Sequence, residues 1–322
     1  MGMESKFIWM NGELVPFEKA TVHFLTPALH YGLGAFEGIR CYDTPKGPAV
    51  FRLTEHLARL LDSIHVLGVL ELPYSIEQLR AAVHGTIRAN GFSECYIRPL
   101  VYMGNGSLGL NLDALHPLLG IAVWEWGAYL GEEALEKGIR MMVSSFTRPH
   151  PNTIMTKAKI SGNYPNSVMA KTLALRAGFD EAIMLDPQGY VAECTGENLF
   201  VIRHGKIFTP HTATVLEGIT RDTIFTIVRD LGYEVLEQPI SRDQLYIADE
   251  AFVCGTAAEC VGIGEIDFRR IGNGKMGPIT REIQRAYHEA VHGRVSKYEE
   301  WCDYAGENVD SPTLWQVSQN SQ

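Results

Sequence analysis

The alternation of hydrophobic and polar positions predicts a pair of short strands near the start of the chain. Two apolar runs, 7–10 and 13–15, flank Asn11-Gly12, a dipeptide that favours the primed two-residue turn of a β-hairpin. A helix is predicted further along, because apolar residues recur with helical spacing at Leu57, Leu60, Leu61, Ile64 and Leu67. Thr54 is the predicted N-cap of this helix, and Gly68 is its predicted stop.

A second helix and two longer strands follow. Ser75, with Gln78 three positions later, forms a capping box, and the helix it opens is expected to end at Asn90-Gly91. Segments 95–103 and 119–126 have strand-like patterns. Because alternate side chains of a strand share a face, Tyr96 and Arg98 are expected to lie on the same side of the first of them.

The pattern changes at a glycine-flanked segment, 127–131, which is the best candidate for a linker. Strand-like patterning begins again at Ile139, after one short polar helix. Three helical patterns follow, at about 164–178, 220–231 and 279–292, each with a glycine stop. Between them lie predicted strands at 181–185, 198–202, 234–236 and 251–254. Many short strands among helices predict an α+β, or mixed α/β, fold.

Composition narrows the class of protein. The 322 residues are 46% hydrophobic and 20% charged, which is an ordinary globular composition and enough for two cores. A net charge of −10 argues against nucleic acid or an anionic membrane as a partner. No apolar run approaches the roughly 20 residues of a membrane span. The six cysteines lack zinc-type spacing, so we expect no metal site, and reduced cysteines in a cytoplasmic protein.

The stretch 156–166 is a candidate Schiff-base site. Lys157 and Lys159 would share a face in an extended chain, and Tyr164 precedes a helical pattern. A desolvated amine beside a packed helix becomes nucleophilic, and a phenol can bind an oxygen of a ligand. Spacing does not choose between the two lysines. The alternative is a solvated loop whose lysines simply face water.

Two further segments are candidates for ligand contact. Gly218-Ile219-Thr220 precedes a helical pattern, so free backbone amides and the helix dipole would suit an anion; a plain Thr cap is the alternative. Small residues at 255–258 end an apolar strand, which indicates either a close backbone approach to a ligand or a tight turn.

For an acidic segment and for a glycine-rich segment, the sequence allows both a functional and a purely structural interpretation. Residues 193–200 place acids and an asparagine around a glycine, where a buried carboxylate would need a cationic partner and a solvated turn needs none. The glycines of 30–40 let the backbone approach something closely, although a strand with bulges fits equally well. Arg59 lies away from the apolar stripe of its helix and has the position of a surface arginine.

Together, five segments resemble the class IV, pyridoxal-phosphate-dependent aminotransferases, and within them the bacterial branched-chain group. They are 31–40, Lys159 with Tyr164, 193–200, 218–221 and 254–259, in that order. The resemblance covers the chain from about residue 8 to residue 301. It implies a two-domain, fold-type IV architecture like that of D-amino acid aminotransferase, with pyridoxal 5′-phosphate as the cofactor.

The resemblance also implies a role for each matching residue. Lys159, and not Lys157, matches the family's Schiff-base lysine, which moves the proton during catalysis. Tyr164 matches the residue that bonds the cofactor's phenolic oxygen, and Glu193 the carboxylate paired with its pyridine nitrogen. The phosphate would be held by Arg59, Ile219, Thr220 and Thr256. The other implied cofactor contacts are Gly196, Glu197, Asn198, Leu216, Gly218 and Gly255.

The implied substrate pocket combines apolar and polar groups. Its walls match Tyr31, Phe36, Trp126 and Tyr129, and its polar positions match Tyr96 and Arg98. Ala257 and Ala258 would offer amides to the α-carboxylate, and Gly38 and Arg40 complete the set. Aromatic walls accept branched side chains, while one arginine can answer the γ-carboxylate of glutamate.

The implied activity is ping-pong transfer of the amino group between L-leucine, L-isoleucine or L-valine and 2-oxoglutarate. A D-amino acid or (R)-amine aminotransferase, or an aminodeoxychorismate lyase, is the alternative on the same fold. Segments 36–40 and 96–98 favour the branched-chain group. The implied domains are a small one, 1–127, and a large one, 134–322, which would carry the Schiff-base lysine; a linker at 128–133 joins them. The site would lie between them and be completed by a neighbouring subunit, with a homodimer as the minimal unit and a hexamer of dimers left open.

Overall fold

A computed structural model of the chain describes residues 5–104, 106–127 and 130–305. Tyr129, one of the expected pocket residues, lies outside the described residues. The helices are α1 (Pro27–Tyr31), α2 (Leu53–Leu67), α3 (Ile76–Asn90), α4 (Glu132–Lys137), α5 (Tyr164–Arg176), α6 (Ile219–Asp230), α7 (Arg242–Tyr246) and α8 (Pro278–Val291).

The strands are shorter than most of the helices. They are β1 (Phe7–Met10), β2 (Glu13–Pro16), β3 (Gly34–Phe36), β4 (Ile39–Tyr42), β5 (Ala49–Phe51), β6 (Cys95–Met103), β7 (Pro117–Trp124), β8 (Ile139–Val143), β9 (Glu181–Leu185), β10 (Val191–Cys194), β11 (Asn198–Arg203), β12 (Lys206–Thr209), β13 (Val235–Glu237), β14 (Glu250–Gly255), β15 (Glu259–Ile266), β16 (Arg269–Arg270) and β17 (Cys302–Tyr304). Strands and helices occur along the whole described chain, which confirms the predicted α+β class.

The chain divides into two compact units. The first contains the residues up to Trp126, the short segment Ala158–Gly162 and the residues from Ala290 onward. The second contains Gly127–Lys157 and Asn163–Glu289. Lys159 therefore belongs to the first unit, although the residues on both sides of its segment belong to the second. The expected division at 127 and 134 stays a prediction.

The sheet of the first unit is antiparallel, in the order β17-β5-β4-β6-β7-β1-β2, with β3 beside β6. Helices α2 and α3 contribute Leu57, Leu60 and Leu79 to a core that includes Ile97 and Val101 of β6. These apolar residues alternate along β6 with Tyr96 and Arg98, so the opposite face of the strand carries the polar groups of the expected pocket.

The sheet of the second unit is mixed. Its order is β10-β9-β8-β15-β14-β11-β12-β13, with β16 beside β15. The pairs β8–β9, β8–β15 and β12–β13 are parallel. Buried β-branched and other apolar residues, among them Ile139, Ile183, Val253 and Val261, form its core.

The sequence predicted local structure correctly where the interacting residues are close together in the chain. β1 and β2 form the predicted hairpin, with Trp9 opposite Leu14. The capping box at Ser75 and Gln78 is present and opens α3, which ends before Gly91 as predicted. Both lie within a few residues of their partners, so the sequence contains all the information they need.

The predicted Thr54 cap of α2 and the alternative Thr220 cap of α6 are both wrong. α2 begins at Leu53, and its N-cap is Arg52 in a left-handed conformation, without a side-chain cap from Thr54. The buried side chain of Leu53 and a bond from the Arg52 amide to the carbonyl of Trp301 fix this start. Likewise α6 begins at Ile219 after Gly218, so Thr220 lies inside the first turn instead of capping it.

Each of the six cysteines is buried as a free thiol. No helix of the described residues combines the length and the apolar character that a membrane crossing requires.

Candidate active site

The backbone of Lys159 is fixed at three points within the first unit. Its amide donates to Ser63 Oγ of α2 at 2.9 Å, and its carbonyl accepts from the Phe36 amide at 3.1 Å. The next residue, Ile160, forms an antiparallel bridge with Ala35. The half-buried side chain places Nζ 5.1 Å from the centre of the Phe36 ring. Sheet and helix contacts therefore fix the backbone that carries this amine, as a site for covalent chemistry requires.

The glycines of 30–40 explain how the segment that carries Lys159 can pack so closely against this part of the backbone. Gly32 has a left-handed φ of 67°, and a Cβ there would lie 2.7 Å from Cα of Gly162. The Gly162 amide donates to the Gly32 carbonyl at 3.1 Å. A Cβ on Gly34 would lie 2.8 Å from the carbonyl oxygen of Val101. Both alternatives for 30–40 are present: the backbone closely approaches other parts of the chain, including the segment that carries Lys159, and the same residues form the interrupted strands β3 and β4.

Lys157 has a different environment. It belongs to the second unit, where its ammonium bonds the carbonyl of Thr212 and the carboxylate of Glu217. Its side chain is 44% exposed. The two lysines, which spacing alone left equivalent, thus differ in burial and in partners: Lys157 forms a surface ion pair, whereas Lys159 lies against an aromatic ring.

Arg59 is not a solvated surface arginine, because it forms a bidentate ion pair with Glu37. Its Nε lies 2.7 Å from Oε1 of that carboxylate, and its Nη2 lies 2.8 Å from Oε2. His56 Nδ1 lies 2.7 Å from the same Oε2. Burial alone would raise the pKa of the Glu37 carboxyl, but Arg59 and His56 hold that pKa well below its usual range. We name Glu37, His56 and Arg59 the Glu37 cluster.

Phe36, Tyr96, Trp124 and Trp126 form an aromatic cluster next to Arg98. The Tyr96 and Trp126 rings stack with centroids 5.0 Å apart. Cζ of Arg98 lies 4.7 Å from the centre of the Phe36 ring and 5.5 Å from that of Tyr96. The buried Nε of Arg98 finds no acceptor among the residues described. A cation surrounded by rings, with a donor to spare, can meet both an apolar side chain and a carboxylate.

The remaining pocket candidates of this unit differ in exposure. A Cβ on Gly38 would lie 1.9 Å from the Tyr96 hydroxyl, so only glycine leaves that tyrosine its place. Arg40 is buried and lies 3.5 Å from the Trp126 carbonyl through Nη2. Tyr31 is 43% exposed and donates to the carbonyl of Leu108.

In the second unit, Glu193 contacts a guanidinium and a backbone amide. Nη2 of Arg148 lies 2.7 Å from its Oε1, and the Leu216 amide donates to its Oε2 at 3.2 Å. Arg148 also donates from Nη1 to Ser167 Oγ of α5. Both Glu193 and Arg148 are buried. The cationic partner that a buried carboxylate at this position needed is therefore Arg148, which the sequence analysis did not identify.

Leu216 links Glu193 to the start of α6. Its carbonyl accepts from Nδ2 of Asn198 at 3.2 Å. A Cβ on Gly218 would lie 2.1 Å from Oδ1 of the same Asn198, so glycine is required at the N-cap. α6 begins immediately afterwards at Ile219, and Gly218 offers no side-chain cap to the first amides. A 12-residue helix with uncapped amides suits an anion.

Gly255 packs against the turn that holds Gly196 and Glu197. A Cβ on Gly255 would lie 3.1 Å from the Gly196 carbonyl. Burial, reinforced by the neighbouring Glu181 carboxylate, raises the pKa of the Glu197 carboxyl. Residues 256–258 form the tight turn between β14 and β15, and Thr256 and Ala257 are half-buried there. Tyr164 is the first residue of α5.

Glu37, His56, Ser63 and Arg148 are the polar residues that the sequence analysis missed. Glu37 lies inside a recognised motif, between the assigned Phe36 and Gly38, so its position was a usable signal. Ser63 faces the apolar side of α2, where a buried hydroxyl is itself a signal. Arg148 follows a strand in a segment without pattern, and nothing local indicates it.

Comparison with known proteins places this α+β fold and its candidate site in a family. Residues 34–266 match the family described as amino-transferase class IV. A branched-chain-amino-acid aminotransferase of Pseudomonas aeruginosa is 49% identical over 294 residues, 91% of this chain and 95% of that protein.

Solved structures give the same result. A branched-chain amino acid aminotransferase of Escherichia coli has a TM-score of 0.91 and 45% identity, covering 94% of this chain and 99% of that one. The enzyme of the same name from Thermobaculum terrenum, in its PLP-form, has a TM-score of 0.87 and 34% identity, with 94% and 98% covered. The chain belongs to the class IV aminotransferases.

Proposed function

We propose that this chain is a branched-chain amino acid aminotransferase with pyridoxal 5′-phosphate as its cofactor. It transfers the amino group of L-leucine, L-isoleucine or L-valine to 2-oxoglutarate and so forms L-glutamate. The support comes from relatives of this activity at 49% identity over nearly the whole chain and from the chemistry of the residues described above.

One observation carries the proposal most directly. The Phe36 ring lies 5.1 Å from the Lys159 amine and 4.7 Å from the Arg98 guanidinium. An amine for covalent chemistry and a cation among aromatic rings thus share one wall. A branched apolar side chain gains from contact with the rings, while a γ-carboxylate gains from the guanidinium.

The residues of each unit fit a part of the cofactor. In the first unit, Lys159 is the residue that binds it covalently, and Arg59 is a ligand of its phosphate. In the second, Glu193 pairs with the ring nitrogen and Tyr164 with the phenolic oxygen. The phosphate receives further donors from Ile219, Thr220 and Thr256, and the cofactor surface is completed by Gly196, Glu197, Asn198, Leu216, Gly218 and Gly255. The buried Nε of Arg98 and the uncapped amides of α6 are donors that anionic groups would satisfy.

When bound, pyridoxal phosphate supplies an electron sink, which accepts the electron pair that remains on Cα after its proton has left. The chain supplies the rest of the chemistry. The Lys159 amine would move the proton between the substrate Cα and C4′ of the cofactor, since it is the amine that lies beside the Phe36 ring of the proposed site. The Glu193 carboxylate, itself oriented by Arg148, favours a protonated ring nitrogen. The amides of Ala257 and Ala258 bind the α-carboxylate.

The substrate side chain is placed by the aromatic cluster. Phe36 and Trp126 form its walls, Tyr96 and Arg98 supply polar contacts, and Gly38 and Arg40 keep these side chains in place. Tyr31, which is 43% exposed, and Tyr129 are the further wall residues of the proposed pocket.

A homodimer is the proposed minimal assembly, in the cytoplasm. Large apolar side chains are exposed on both units: Phe24, Leu29 and Leu110 on the first, and Val168, Met169 and Leu175 on the second. Such side chains mark contacts between chains when they cluster. Buried free cysteines suit a reducing compartment. Light scattering of the purified protein measures the assembly, and a stable monomer would contradict it.

The activity is tested with two donors. The protein with pyridoxal phosphate is incubated with 2-oxoglutarate and either L-leucine or D-alanine, and glutamate is measured. We expect glutamate from L-leucine and at most traces from D-alanine. Turnover of D-alanine alone, or release of pyruvate from aminodeoxychorismate, would replace the proposal with one of the other activities of this fold.

A further inference from the structure

Glu37 is the most completely buried carboxylate among the candidate-site residues and has four donors around it. Its side chain is 0% exposed. Arg59 supplies Nε and Nη2, at 2.7 and 2.8 Å, and His56 Nδ1 lies at 2.7 Å. Its own neighbour Gly38 donates its amide at 3.3 Å. A carboxylate held on all sides has one orientation, and so has the guanidinium attached to it.

Burial and ion pairing determine which groups of the Glu37 cluster are charged. The arginine keeps Glu37 ionised, because its guanidinium is charged at any physiological pH. Burial lowers the pKa of the His56 ring, although the Glu37 carboxylate opposes the effect. A neutral His56 then donates from Nδ1 to the carboxylate, and the Glu37–Arg59 pair stays the only charged pair of the cluster.

The position of Glu37 in the chain connects it to the rest of the candidate site. Phe36, the preceding residue, bonds the carbonyl of Lys159 through its amide and lies beneath the Lys159 amine. Gly38, the following residue, leaves room for Tyr96. A side chain anchored here fixes Arg59 relative to the lysine, since Arg59 is bonded to Glu37 and Lys159 to the adjacent Phe36.

A free arginine side chain has many rotamers, and binding an anion would restrict them at a cost in conformational entropy. A guanidinium has five N–H donors, so a second acceptor can be served while the Glu37 pair remains intact. Orientation before binding raises affinity by removing that entropic cost.

We infer that Glu37 is a positioning residue for the cofactor phosphate: it holds the Arg59 guanidinium in the orientation that receives the phosphate, and His56 holds Glu37 from the other side. The inference rests on the proposed function, because it takes Arg59 as a phosphate ligand. Glu37 itself touches neither the cofactor nor the substrate in this account.

The chain contains a matched control. Asp303 of β17 is shared by an arginine and a histidine in the same manner: Nε of Arg80 lies 2.9 Å from Oδ2, and Nε2 of His84 lies 2.8 Å from Oδ1. We name these three residues the Asp303 cluster. No residue of the Asp303 cluster has a role in the proposed site, so it reports what loss of such a carboxylate does to the fold alone.

The experiment is a double-mutant cycle on the apoenzyme. Dissociation constants for pyridoxal 5′-phosphate and for pyridoxal, which lacks the phosphate, are measured for the wild type, Glu37→Gln, Arg59→Ala, the double variant and Asp303→Asn. We expect Glu37→Gln to weaken pyridoxal phosphate about tenfold and pyridoxal less than twofold. In the Arg59→Ala background the same change should have no further effect. Asp303→Asn should leave both constants within about twofold of the wild type.

Several outcomes overturn the inference. One is that Glu37→Gln weakens pyridoxal phosphate binding equally in the presence and in the absence of Arg59. Another is that Glu37→Gln weakens the binding of pyridoxal phosphate and of pyridoxal equally. Unchanged affinity in Glu37→Gln beside a large loss in Arg59→Ala would remove Glu37 but leave the phosphate assignment intact. Unchanged affinity in Arg59→Ala would instead remove Arg59 from the phosphate site, and the inference with it. Should Glu37→Gln not fold, Glu37→Asp keeps the charge but shortens its reach, and the same pattern is expected.

Discussion

The two units of the chain present their candidate groups by different means. In the first, the groups are side chains: the Lys159 amine, the Arg59 guanidinium and the Arg98 guanidinium among aromatic rings. In the second, much of the proposed chemistry belongs to the backbone, with amides at the start of α6 and in the turn after β14. Glu193 is a charged side chain of this unit, and a backbone amide, that of Leu216, is one of its partners.

This difference has a consequence for mutation. A side-chain group disappears with one ordinary substitution, so changes in the first unit should have large and selective effects. A backbone amide persists through every substitution except proline, so changes in the second unit should be mild unless they remove an N–H. Three substitutions test this contrast, and they are ordered by the size of the expected effect.

The largest effect is expected at Lys159. Lys159→Ala should abolish transamination, because no other amine is fixed beside the Phe36 ring in the residues described. Lys157→Ala should keep most of the activity, since that lysine forms a half-exposed surface pair with Glu217. Glutamate formation from L-leucine measures both. Similar losses in the two variants would contradict the separation of their roles.

An intermediate and selective effect is expected at Arg98. Arg98→Ala should lower kcat/KM for glutamate by roughly 10- to 100-fold, equivalent to about 1.5–3 kcal/mol for a charged hydrogen bond. The half-reaction of leucine, measured in single turnover, should fall much less, because a methyl group needs no guanidinium. Arg98→Lys retains the charge and should recover part of the glutamate rate. Equal losses for both amino acids would mean that Arg98 supports the fold or the shared α-carboxylate.

The smallest effect is expected at the start of α6. Ile219→Pro removes one backbone N–H at the first helical position, where proline is tolerated, and Gly218 already has the φ of −68° and ψ of 130° that suit a residue before proline. We expect pyridoxal phosphate affinity to fall roughly tenfold, about 1.4 kcal/mol. Ile219→Val controls for the lost side chain and should change affinity less than twofold. If both variants behaved alike, the amide would have no part in binding.

The sequence was informative where structure is decided locally. The Asn11-Gly12 hairpin and the Ser75 capping box depend on neighbours a few residues away, and both were predictable. The same reasoning failed at Thr54, because the start of α2 is set by the burial of Leu53 and by a carbonyl of Trp301, far along the chain. A cap signal cannot include a partner at that distance.

The candidate site shows the same limit. Spacing left Lys157 and Lys159 equivalent, and a family resemblance was needed to choose between them. Their structural difference arises from the bridge between Ile160 and Ala35 and from the contact of Gly32 with Gly162. Glu37 and Arg148 were missed because a buried ion pair is visible only when both partners have been placed. Residue type and periodicity describe one partner at a time.

The central claim is that Lys159 carries the cofactor, and one measurement tests it most directly. The protein loaded with pyridoxal 5′-phosphate is reduced with borohydride, digested and analysed by mass spectrometry for the modified peptide. Reduction makes a covalent link between amine and cofactor permanent, so the modified residue identifies the lysine that held it. We expect the added mass on Lys159 and none on Lys157. Modification of Lys157, or of neither lysine, would contradict the account.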